Sequence, residues 1–139
     1  MKKLLAAEAG HLSTAQATVE TALIVPLLLA VFLGTFTLAW TAFAAAGLHE
    51  AASQAGLAAQ RADSINQAQA AAEEAFSSDL VAYPLRNEQI SLGFPLGFAR
   101  GGPANVTASA QVVWPWLGEA SPLRLTATFT TVIEPYRSR

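Results

Sequence analysis

Residues 21–48 carry no charged side chain and read TALIVPLLLAVFLGTFTLAWTAFAAAGL. Wound as a helix at 1.5 Å per residue, this run rises about 40 Å, enough to cross a bilayer with some tilt. A core helix of that length would need more surrounding protein than a chain of 139 residues provides. A secretory signal is the nearest rival reading, with Ala44, Ala45 and Ala46 as a small-residue cleavage site. Its apolar stretch would then exceed the usual length of about 7–15 residues.

After residue 48 the period stays helical but the composition changes. Leu48, Ala52, Ala55, Ala59, Ala62, Gln69, Ala72 and Phe76 recur on one face, and no proline interrupts the segment before Tyr83-Pro84. The pattern predicts that the helix continues to about residue 80 with an alanine-rich, amphipathic surface on which another element can pack closely. Beyond Pro84 the period falls to two. Ile90, Leu92, Phe94, Leu96 and Phe98 alternate with small or polar residues, then Val106, Ala108, Ala110, Val112 and Trp114, then Leu123, Leu125, Ala127, Phe129, Thr131 and Ile133. Gly101-Gly102-Pro103 and the stretch from Gly118 to Pro122 separate the three runs. Three consecutive strands imply an antiparallel meander, and its apolar face requires a cover that the alanine face of the helix can supply. Pro95 and Pro115 each lack a ladder donor and belong at strand ends or edges. The expected fold class is α+β: a long N-terminal helix, transmembrane in its first half, packed on a small antiparallel three-stranded sheet. The expected divisions are a leader 1–15, a span 16–48, a helical continuation 49–82 and a β-rich head 83–139.

Charge sets the direction of the span. Lys2 and Lys3 precede it, whereas Glu50 follows it and the next basic residue is Arg61. Positive charge favours the cytoplasmic side, so the N-terminus is expected in the cytoplasm and the head outside it, in a single-pass protein of the cytoplasmic membrane. Only 13% of residues are charged and the net charge is −2, which supplies no cationic surface for nucleic acid. Cysteine is absent, excluding disulfides and thiolate chemistry.

Candidate chemistry is sparse. His11 and His49 flank the apolar run on opposite sides and cannot share a metal. Glu73 and Glu74 are adjacent on a helix and point apart, so they form no acid/base pair. Asp79, Glu88, Glu119, Glu134 and Tyr136 have no spacing that gathers them into a site. No enzyme activity and no cofactor are expected. Glu20 stands out because it abuts the apolar run, where a carboxylate needs a partner cation, a proton or the headgroup region. Pro26 removes a backbone donor near the start of the run and would bend or loosen the helix there. Ala30 and Gly34, and Thr37, Thr41 and Ala45, place small residues four apart, a spacing that lets another helix approach.

The stretch Ala15-Gln16-Ala17-Thr18-Val19-Glu20-Thr21-Ala22-Leu23-Ile24-Val25-Pro26-Leu27-Leu28-Leu29 resembles the N-terminal signature of the TadE-like pilus assembly proteins, pilin-like components of the tight-adherence, or Flp-type, machinery. The resemblance covers roughly the first sixty residues. It implies a pilin-like architecture, a basic leader removed by a prepilin peptidase between Ala15 and Gln16, and Glu20 as the fifth mature residue. Ala15 stands where such peptidases usually find glycine. The implied role is in pilus assembly, adhesion or secretion, with the membrane, other pilin-like subunits and the pilus assembly machinery as partners. A single-pass tethered binding module that is neither processed nor polymerised is the alternative.

Overall fold

A computed structural model of the chain describes residues 2–116 and 123–135, with side chains from residue 19 onward. The side chains of His11, Ala15 and Gln16, the turn at 118–122, Glu119 and Tyr136 lie outside the described residues. The element order is α1 (Lys2–Gln60), α2 (Ile65–Leu80), β1 (Leu85–Gly93), β2 (Pro103–Val112) and β3 (Arg124–Val132). By contact density the chain divides into two units, Met1–Ala39 and Trp40–Arg139.

The first unit is helix. Every residue from 19 to 36 is exposed, and the exposed set includes Leu23 at 70% and Phe32 at 65%. Pro26 lies inside α1, which runs through it.

The second unit is the expected α+β arrangement. Its sheet has the order β1-β2-β3, antiparallel throughout, as the three alternating runs imply. The inward face aligns Leu92 with Val106 and Phe129, and Ile90 with Ala108 and Ala127. On α1, Ala44, Gly47, Leu48, Ala51, Ala52, Ala55, Gly56 and Ala59 are buried, the three-and-four spacing of a single helix face. The small residues have a geometric use. A Cβ on Gly56 would lie 2.5 Å from Cδ1 of Phe129, and one on Gly47 would lie 2.2 Å from Cδ1 of Tyr83, against the ring. Glycine at these positions lets rings occupy the space a side chain would take. The Gln60 side chain bonds Thr131, and the Glu134 amide donates to the Gln60 carbonyl at 3.1 Å, joining the end of α1 to the end of β3.

Two expectations are corrected. The helix does not continue to residue 80: it stops at Gln60 and restarts at Ile65. The restart has a local cause, because Ser64 is extended at φ −149° and its hydroxyl accepts from the Gln67 amide at 3.3 Å. The Gln67 side chain reaches back to accept from the Asp63 amide at 3.0 Å, a variant of the reciprocal capping box. The interruption resets the helical phase, so α2 buries Ala68, Ala72, Phe76 and Leu80, and Gln69 is exposed rather than on the packed face. The first strand also shifts: it begins at Leu85 and ends at Gly93, leaving Phe94, Leu96 and Phe98 beyond it. Leu85 and Ile90 differ in parity yet both face inward. The reconciliation is a bulge, in which Arg86 to Gln89 spans three steps against two from Gln111 to Ser109. Asn87 takes the positive φ of 52° there, a conformation asparagine tolerates better than most residues.

Pro95 and Pro115 fall just beyond β1 and β2, outside the ladder they could not serve. Pro103 opens the central strand, where a missing donor matters least.

Candidate functional site

The feature that sets this chain apart from an ordinary α+β domain is the uncovered apolar helix surface. Leu27, Leu28, Leu29, Val31 and Phe32 are each more than half exposed. Val19–Gln60 contains a segment long and apolar enough to cross a membrane, and none of that segment is buried by the rest of the chain. Burying apolar surface is worth about 25 cal/mol per Å², so such a surface demands a non-aqueous neighbour. The helix satisfies its own backbone, which is what hydrocarbon requires.

Glu20 is exposed and sits at the start of this surface, one residue after Val19. Ala30 and Gly34 lie within it, and a Cβ built on Gly34 meets nothing within 4 Å. Thr35 turns its hydroxyl inward, donating to the Val31 carbonyl at 2.9 Å, so its polarity is met within the helix. Ala15 and Gln16 fall within α1.

The described residues of the second unit include one groove that gathers carboxylates. Glu73 and Glu88 line an open groove of about 350 Å³ between α2 and β1 with Phe76, Ser77, Leu80 and Tyr83. Ser77 donates to the Glu74 carbonyl at 3.1 Å, so its hydroxyl proton is engaged within the helix. Among the described residues, no three His, Cys, Asp or Glu converge to hold a metal ion. The Arg100–Asp63 pair, 2.7 Å apart, is about half exposed on both sides and contributes little to stability.

Fold and surface together define a class: an α+β unit on a helix whose preceding stretch is apolar, exposed and of membrane-crossing length. Residues 15–57 match the family described as TadE-like protein, so the N-terminal part of the chain is TadE-like, as its sequence signature implies. The match takes in Glu20, Pro26 and the alanine stripe of α1 as far as Leu57. No curated protein and no solved structure matches the chain.

What the sequence did not indicate is the concentration of aromatic residues at one end of the second unit. Trp40 Nε1 donates to the Val113 carbonyl at 2.9 Å, Phe43 and Tyr83 have ring centroids 5.2 Å apart, and Trp114 and Trp116 are 5.4 Å apart. The residues come from three separate stretches, so only folding gathers them.

Proposed function

We propose that this chain is a pilin-like, membrane-anchored component of a Flp-type pilus or tight-adherence secretion apparatus that acts in assembly by helix packing and has no catalytic role. The observation that carries the reading is the coincidence of the TadE-like match with the uncovered apolar helix. In this reading the apolar span that begins at residue 16 anchors the chain, the N-terminus is cytoplasmic as Lys2 and Lys3 favour, and the α+β head is extracytoplasmic. Small residues at Ala30 and Gly34 let a neighbouring span approach. A prepilin peptidase cuts between Ala15 and Gln16, and the new α-amine pairs with Glu20 of an adjacent subunit, neutralising both charges as subunits leave the bilayer.

The test uses an affinity tag on the head. The chain is solubilised from its native membrane in mild detergent and the proteins that accompany it are identified. Other pilin-like chains and pilus machinery are expected in stoichiometric amounts. Recovery of the chain alone, intact from Met1, would favour a tethered module that does not polymerise.

A further inference from the structure

The aromatic end of the second unit supports one further inference. All three tryptophans of the chain, together with Phe43 and Tyr83, gather around the first turn of this unit. The connections that carry them are tied to one another: the Val113 amide donates to the Pro84 carbonyl at 2.8 Å, while the Val113 carbonyl receives Trp40 Nε1. Trp114 is buried, but Phe43 is 49%, Trp116 44% and Val81 87% exposed. Phe43, Val81 and Trp116 together leave apolar surface open at this end of the unit, and it is the grouping that calls for a cover.

What covers it follows from continuity with the anchor. Trp40 follows directly in sequence on the exposed apolar stretch that begins at Val19. Residues 19–39 rise about 30 Å as a helix, the thickness of a bilayer's hydrocarbon core. Trp40 and Phe43 therefore fall at the depth of the headgroups, where tryptophan and tyrosine concentrate because an apolar ring and a polar N–H or O–H are both satisfied there. We infer that Phe43, Val81, Tyr83 and Trp116 form a collar seated in the outer bilayer interface, so that the head rests on the lipid surface and the span ends near residue 40. Ala44 and Leu48, both buried, then belong to the head core and not to the hydrocarbon. The inference rests on the membrane-anchor reading above.

The chain contains no cysteine, so a single introduced thiol reports one position without ambiguity. The full chain is reconstituted in phosphatidylcholine vesicles as Val81→Cys, Phe32→Cys or Leu96→Cys, each labelled with a nitroxide, and collisions with oxygen and with a water-soluble nickel chelate are compared. Phe32 probes the anchor. Leu96, 80% exposed, lies past the far end of β1, a strand about 30 Å long, and probes water. The expected result is oxygen collisions several-fold above chelate collisions at Phe32, the reverse at Leu96, and a ratio at Val81 between the two and several-fold above that at Leu96. Aqueous behaviour at Val81 with lipid exposure at Phe32 would overturn the collar and leave the anchor standing. Aqueous behaviour at both would overturn the anchor and the collar with it. Equal lipid exposure at Val81 and Leu96 would also overturn the collar, since contact would then not be confined to one end.

Discussion

The variant Phe76→Ala is expected to lower the stability of the α+β unit by about 3–5 kcal/mol, the usual cost of deleting a buried phenylalanine ring. The size of the effect follows from what surrounds it. Most buried positions on the helices are alanine, which brings elements close but buries little area per residue. On α2 the buried set is Ala68, Ala72, Phe76 and Leu80, so Phe76 and Leu80 supply nearly all the apolar area that holds this helix down. Phe76 is 3% exposed, and its loss leaves a cavity that its alanine neighbours are too short to fill. A domain's whole stability is about 5–15 kcal/mol, so this single change removes a large share. Urea unfolding in detergent, followed by tryptophan emission, measures it, because all three tryptophans lie in this unit. A loss below about 1 kcal/mol would mean that the head does not depend on α2 as described.

Glu20→Ala is expected to leave membrane insertion intact and to reduce co-purifying pilin-like chains by about tenfold or more, the effect of losing an interaction worth about 1.4 kcal/mol. Insertion survives because removing a carboxylate from the bilayer edge lowers the cost of placing the helix there. Under the proposed pairing, assembly suffers because the α-amine of the neighbouring Gln16 loses its counter-charge where little water is available to replace it. Carbonate-resistant membrane association and tagged recovery, measured on the same preparations, separate the two effects. Normal recovery of partner chains with alanine at this position would exclude the pairing.

The parts of this architecture that repeat a period were legible in the sequence. The alternation of Val106 through Val112 and of Leu125 through Ile133 marked both strands and their inward faces, because an antiparallel sheet covered on one side enforces period two. The anchor stretch was legible for the same reason, since length and lack of charge are read directly along the chain. The break at residues 61–64 was missed because Arg61-Ala62-Asp63-Ser64 contains neither proline nor glycine. The signal present was the serine three residues before Gln67, a helix start inside an otherwise unbroken helical pattern. The bulge in β1 was missed because Leu85 and Ile90 lie on opposite parities, and a reading by strict alternation discards one of them. The tryptophans read one by one as core or bilayer-interface residues, but their grouping had no linear signature: Trp40, Tyr83 and Trp114 are brought together only by the packing of α1 against the sheet and its connections. At the candidate site, sequence placed Glu20 at the edge of the apolar run because both are local.

The claim that this chain, which matches the TadE-like family over residues 15–57, is an assembly subunit is tested most directly by the intact mass of the protein recovered from its native membrane. The account predicts a mature chain that begins at Gln16, with Glu20 as its fifth residue. A chain recovered whole from Met1 would contradict assembly by the pilin route.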